Sequence, residues 1–453
     1  MRDSSVYNNS QPISDTSLEV LQPAQPRGTK VDTINAEIIK DLSSFKKLEP
    51  EWDDLLEKSE GTIYSSFNWI FGWWKHFGEN AYRTLSIVVL RKNDRVICIA
   101  PLYIGETRVF NFSLQKRLRL MGDGASIYGS WGYRDTYGRS DFLDILCDVD
   151  FEDEVVEPLF EAIEQLAKDN RIDHLNFEHI NDRSFVKRKL FPFLDTNERL
   201  TSTIKETDVC PTIHLNNDFD EYLMELSSSS RRKLRTSLKA ETKKDGYEVS
   251  EVSKPAEVDN EINILIQMHQ SRWNDLGYPG AFFDTRFEHF IKEFAQAAQK
   301  KGQLWFKIAK DKKGHCATRL AFKFKGRYYD YLTSFDYDAP SSKYRPGIGL
   351  LTHMIKDAFE NDGRSVELLR GDEAYKFDLT SDVHKNWSWK VSFKEERNKL
   401  LTILTDAVSL LTFTVLKEAT LFQVQKNLHN SLKALVEYPR VRYEMLKYKY
   451  QDD

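Results

Sequence analysis

The sequence predicts an α+β protein of two tandem units, and two observations carry that prediction. In each half, helical periodicity precedes β-rich runs joined by tight turns, and a further helix and strand follow. The second half follows an order similar to the first. No residue-level repeat links them, so the duplication rests on the order of elements alone.

Residues 1–34, rich in Ser, Gln, Asn and Pro, read as a flexible leader with no secretory h-region. The first unit spans 35–205. In it "FNWIFGWWKHFG" is a short aromatic helix closed by Gly78, and "TLSIVVLRKNDRVICIAPLYIGET" is two strands around a polar "KND" turn. "DFLDILCD" reads as a strand, "EDEVVEPLFEAIEQLAKD" as a helix and "DHLNFEHI" as a strand. "KETDVCPTIHLNNDF" then opens the second unit, 206–395. Here "DEYLMELSSSSRRKLRTSLKAETKKDG" reads as one helix ending on a Gly cap, and "AEVDNEINILIQMHQSRWNDLG" as another. "QLWFKIAKD", "CATRLAFKF" and "RYYDYLTSF" are three strands, with Lys325-Gly326 at a hairpin turn. "YRPGIGLLTHMIKDAF" is a turn into an amphipathic helix, and "SVELLRG" is the last strand. Residues 396–453 read as a helical tail, apolar to Leu416 and then basic.

Composition bounds the function. A net charge of −5 gives no general attraction to nucleic acid. Cys98, Cys147, Cys210 and Cys316 are far apart, which argues against a disulfide framework or a metal site and suits buried thiols in a reducing cytoplasm. The most apolar segment, 400–416, carries Asp406 and four threonines, so a packed or membrane-surface helix is expected there and not a span. The expected location is the cytoplasm, with the inner membrane face as the other place this tail could take the chain.

Five constellations could carry chemistry. In the first, Gly347 and Gly349 precede an apolar face begun by Leu350, Leu351, Met354, Ile355 and Phe359, Pro346 suits a first helical turn, and Arg345 adds a guanidinium. Taken alone, this is a tight turn as readily as an anion cradle. In "LLRGDEAYKFD", Arg370, Asp372, Glu373, Tyr375 and Lys376 crowd a strand end, as proton-handling groups or as solvated turn charges. In "IQMHQSRW", His269 shares a helical face with Ile262, Leu265 and Trp273, as a base or a core histidine, with Arg272 about 100° around the helix. "SSSSRRKLRTSLKAETKK" presents Arg231, Arg232, Arg235, Lys239 and Lys243, a solvated face or a phosphate-binding one. In "KGRYYDYLTSFD", alternation puts Tyr329 and Tyr331 opposite Tyr328 and Asp330, for aromatic packing or a substrate groove.

In this order, "YL..LSSSSRRKLR", "MHQSRW", "GRYYDYLTSFD", "YRPGIGLLTHMI" and "RGDEAYK" resemble the GNAT superfamily of acyl-CoA transferases over about 206–395. More narrowly, they resemble the CelD/BcsL type associated with bacterial cellulose synthesis, and the order is also similar to the FemABX aminoacyl transferases, built from two GNAT-like units. The resemblance implies two tandem GNAT-like units and a CoA pyrophosphate held by backbone amides at Tyr344, Arg345, Gly347, Ile348 and Gly349. The family motif there is Q/R-x-x-G-x-G/A; Tyr344 takes its first position and arginine moves to 345. An amine or hydroxyl would attack the thioester directly, with His269 or Asp372 as base, Tyr375 as acid and Lys376 contacting substrate or phosphate. Arg272, Trp273, Tyr329, Asp330, Tyr331, Arg370 and Glu373 would line the substrate site.

The implied co-substrate is acetyl-CoA or another acyl-CoA, with no metal. The first unit lacks a Gly-rich helix start and is expected to shape the acceptor groove without binding CoA. The leading reading is an acyl-CoA-dependent N- or O-acyltransferase acting on a sugar, nucleotide-sugar or polysaccharide precursor in envelope biosynthesis. The alternatives are a FemABX-like transferase using aminoacyl-tRNA, and a non-catalytic scaffold among polysaccharide-synthesis proteins.

Overall fold

The computed structural model describes residues 33–79, 83–109, 112–124, 138–198, 200–216, 218–275 and 280–393. Nearly all of the expected leader and the whole tail, including 400–416, lie outside them.

The N-terminal half begins with β1 (Ile34–Ile39), α1 (Leu42–Lys47), α2 (Glu49–Glu57) and α3 (Phe67–Trp73). Asp41 and Ser66 start α1 and α3 by accepting the Ser44 and Trp69 amides. The aromatic helix then continues as a π-helical turn to Gly78. Next come β2 (Arg83–Leu85), β3 (Ile87–Lys92) and β4 (Arg95–Ala100). Asn93 and Asp94 adopt φ of 50° and 66°, the two left-handed residues that a two-residue hairpin loop needs. β5 (Leu102–Val109), β6 (Phe112–Leu120), β7 (Leu146–Cys147), α4 (Glu152–Asn170), β8 (His174–Asn181), α5 (Phe191–Asp195) and β9 (Leu200–His214) complete this half. The strand read in "DFLDILCD" shrinks to β7. The Asp144 carboxylate accepts the Ile145, Phe185 and Val186 amides, and Leu143 before it forms an isolated parallel bridge to Ile180 of β8 instead of extending β7.

The C-terminal half runs α6 (Phe219–Glu225), α7 (Ser228–Lys239), β10 (Glu248–Glu251), α8 (Pro255–Asp275) and α9 (Thr285–Lys300). It continues β11 (Leu304–Asp311), β12 (Gly314–Phe324), β13 (Arg327–Phe335), α10 (Pro346–Glu360), β14 (Ser365–Glu367), α11 (Ala374–Phe377) and β15 (Val383–Phe393). The single helix expected after residue 219 is two helices, because the Ser227 hydroxyl accepts the Ser230 amide and starts α7 afresh. "SVELLRG" is not the last strand, since β15 follows it.

Strand exchange ties the halves together. The main sheet runs β10-β11-β12-β13-β14-β9-β15-β8-β6-β5-β2, with β1-β3-β4-β7 as a second sheet. In each half the last meander strand lies parallel to the strand after the long helix, β6 beside β8 and β13 beside β14. The strands that end the two halves then cross over. β9 pairs with β14, β15 pairs with β8, and β9 and β15 pair with each other from Val383↔Pro211 to Phe393↔Leu200.

Aromatics fill the junction. Tyr64 and Trp69 meet Tyr329 and Tyr331 edge-on, with ring centroids 5.6 and 5.5 Å apart, and Phe290 and Phe294 of α9 close over Trp69. Cutting the chain at 205 would divide β9 and strip β15 of β8, exposing the buried Trp389 and Val391. We expect residues 206–395 alone to be unfolded by circular dichroism, and the full chain to melt in one calorimetric transition.

Candidate active site

β13 and β14 are registered only from Arg327↔Ser365 to Tyr329↔Glu367. β13 then runs on to Phe335, while left-handed backbone at Leu369 (φ 57°) and Gly371 (φ 129°) turns the other chain aside. The strands part, and the start of α10 lies at the opening. Arg319 of β12 ties the two together: its guanidinium is buried against the Asp330 carboxylate and donates to the Gly347 carbonyl at 3.1 Å. Tyr375, the second residue of α11, packs against the apolar cluster of Leu351 and Met354 and feels the charges of the same pair. Burial pushes its phenol well above the usual value, Asp330 adds to the shift, and Arg319 opposes it.

The turn before α10 is built locally. Arg345 is exposed, adopts φ 56°, and precedes Pro346 at the first helical position. The Ile348 and Gly349 amides both close on the Arg345 carbonyl, at 2.9 and 3.1 Å. Pro346 has no N–H, so Gly347 is the first-turn amide left without a helix carbonyl. Tyr344 donates its hydroxyl to Asp245 at 2.9 Å, and Lys343 pairs with the same carboxylate. Both glycines also answer to packing. A methyl group at Gly349 would collide with the Tyr247 hydroxyl, and one at Gly347 would stand 3.3 Å from the Phe335 ring. Gly349→Ala should therefore cost about 1–3 kcal/mol by overpacking. Chemical denaturation should show part of that restored by Tyr247→Phe.

The remaining residues singled out by sequence fall into three places. Arg272 lies over Phe335 and Tyr337 at 4.9 and 5.0 Å, so α8 reaches the α10 turn through Phe335. His269 packs edge-on against Phe282 and near Trp273, and burial pushes its imidazole below the ordinary value. Tyr329 and Tyr331 belong to the aromatic junction. Arg370 crosses into the N-terminal half, pairing with Asp141 at 3.0 Å and donating to the Ser140 carbonyl. Lys376 is buried, with its ammonium on the Leu369 and Arg370 carbonyls and on Glu373. Asp372 is exposed. Among the described residues no His, Cys, Asp and Glu cluster could hold a metal, and no helix is long and apolar enough to cross a membrane.

Arg319 escaped the sequence reading. Its signal was a single arginine inside the apolar run "CATRLAF", where burial demands a partner.

Residues 228–377 match the acetyltransferase (GNAT) domain family. Among solved structures, FemX aligns over 83% of this chain and 100% of its own at 11% identity, with a TM-score of 0.53, which shows a shared fold. L-PGS from Bacillus licheniformis aligns over 81% of this chain and 96% of its own (12% identity, TM-score 0.44). A tandem GNAT protein from the clavulanic acid biosynthesis pathway aligns over 79% and 98% (11% identity, TM-score 0.41). No curated protein matches the sequence.

Proposed function

We propose that the chain is an acyl-CoA-dependent N- or O-acyltransferase acting on a sugar or polysaccharide precursor, of the CelD/BcsL type. Residues 206–395 would carry the acyl-CoA site and residues 35–205 the acceptor groove. The observation that supports this most is the parting of β13 and β14 beside the α10 turn, where Asp330 is the first β13 residue past the pairing and is tied through Arg319 to Gly347. The GNAT match covers that region. Gly347 and the first turn of α10 would take the CoA pyrophosphate, with Arg345 outside them. Acyl-CoA would bring the activated thioester. This chain's own part is to hold the acceptor nucleophile, take its proton, and return a proton from Tyr375 to the departing sulfur. His269 and Asp372 are the candidate bases. The N-terminal counterpart of α10 is α4, whose first turn carries Glu152, Asp153 and Glu154. These carboxylates already hold the cations around that helix start, Arg188, Lys189 and Lys92, and leave none of them for a phosphate, which supports a single acyl-CoA site.

Calorimetry with acetyl-CoA and longer acyl-CoAs tests the reading. Binding with near one-to-one stoichiometry is expected, and failure to bind any CoA thioester would sink it.

A FemABX-like use of aminoacyl-tRNA is the second reading, favoured by the exposed Arg232, Lys233, Arg235 and Lys239 of α7, the helix packed on α10. Salt-sensitive tRNA retention on filters would support it, and its absence would remove it.

A further inference from the structure

We infer that Arg272 of α8 binds a phosphate of the acyl-CoA, an assignment that rests on the proposed acyl transfer. Its guanidinium lies over the Phe335 and Tyr337 rings, 4.9 and 5.0 Å from their centroids. The two rings stand 4.6 Å apart where β13 ends, tilted by 60°. Phe335 is also the side chain that a methyl group at Gly347 would meet, at 3.3 Å. One ring therefore separates the guanidinium from the first turn of α10, whose Gly347 amide has no helix carbonyl to bind and suits an anion.

Arg272 carries a charge that nothing answers. Lys343, Arg319 and Lys376 around the opening are committed, to Asp245, Asp330 and Glu373. Arg272 makes no ion pair and no hydrogen bond among the described residues. Asp336, between its two rings in the chain, accepts the Asp338 amide. The Arg272 side chain is also within reach of a ligand. The residue is half-buried, and Tyr337 and Trp273 beside it are 58% and 37% exposed. Of its three nitrogens only Nε is enclosed, so the unpartnered terminal pair meets solvent.

Aromatic stacking and anion binding use different parts of a guanidinium. Stacking engages its faces and fixes its plane, while the N–H donors point outward within that plane. A fork held in this way takes two phosphate oxygens at once and loses little freedom in doing so. Arg345, exposed and likewise without a carboxylate partner among the described residues, precedes Gly347 by two residues. The α10 turn thus has uncommitted guanidinium groups from two elements near it. Acyl-CoA, with a pyrophosphate and a separate 3′-phosphate, supplies the matching charge, whereas a neutral acceptor supplies none.

Calorimetry on the full chain with acetyl-CoA tests the assignment. Arg272→Met, which keeps an unbranched stem against the rings, should bind acetyl-CoA about ten- to a hundredfold more weakly, the range for losing a hydrogen-bonded charge. Arg272→Lys should recover part of that loss. Added salt should weaken the wild type more steeply than Arg272→Met, because one ion pair is missing from the variant. Acetyl-dephospho-CoA identifies the group held: an equal loss with it assigns the pyrophosphate, no loss assigns the 3′-phosphate, and either result supports a phosphate contact. Arg272→Met binding as tightly as the wild type overturns the assignment. So does equal weakening in the Met and Lys variants with an unchanged salt slope, which marks a packing role. Should Arg272→Met not fold, Arg272→Gln carries the same comparison. A wild-type chain that binds no acyl-CoA brings down the proposed acyl transfer and this assignment with it, whereas the variants alone can remove Arg272 and leave that reading standing.

Discussion

Tyr375→Phe is expected to lower kcat about a hundredfold while leaving the KM for acyl-CoA nearly unchanged, the range for loss of a positioned proton donor. Burial raises the phenol's pKa, Asp330 adds to the rise and Arg319 opposes it. A thiolate leaving group needs that proton only as the carbon–sulfur bond breaks, so the loss falls on kcat. Phenylalanine preserves the ring packed against the apolar cluster around Leu351 and Met354. Steady-state kinetics with thioesters of differing thiol acidity gives a second readout. The variant should be spared with the most acidic thiols, which leave without help. An unchanged kcat would remove Tyr375 from the chemistry.

Arg319→Met should produce the largest loss of stability. The side chains of Arg319 and Asp330 are 3% and 6% exposed, so removing the guanidinium leaves a buried carboxylate without its counter-charge. Breaking one side of such a pair costs about 3–5 kcal/mol. The α10 turn also loses the hydrogen bond to the Gly347 carbonyl, so acyl-CoA affinity should fall as well. Urea denaturation of the double variant Arg319→Met/Asp330→Leu separates the effects. Stability should largely return, since an apolar pair of similar volume replaces the buried charges, while acyl-CoA affinity stays low. Recovery of both would make the pair purely structural.

Features set by a few neighbouring residues were legible in the sequence. The "KND" and Lys325-Gly326 hairpins announce themselves because a two-residue loop demands left-handed backbone, and Asn, Asp and Gly pay least for it. The Pro-Gly start of α10 is equally local. α9 was legible too and went unread: Asp284 caps it, and Phe287, Phe290, Ile291, Phe294 and Ala298 keep helical spacing. The break at Ser227 was ambiguous, since a serine run suits a helix interior poorly and a cap well, and only the hydroxyl's geometry decides.

The sequence by itself determined the α+β class, the repeated order of elements, the turn before α10 and the crowd of polar residues after β14, because each follows from local periodicity or backbone chemistry. The tertiary structure decided what these features touch. It set Gly349 against Tyr247, buried Lys376 on backbone carbonyls, sent Arg370 into the other half, and joined Arg319 to Asp330 and Gly347. It also exchanged β9 and β15 between the halves, placing Asn386 between Asp208 and Asn181. These pairings join residues far apart in the chain, and register and packing, which no local pattern encodes, fix them.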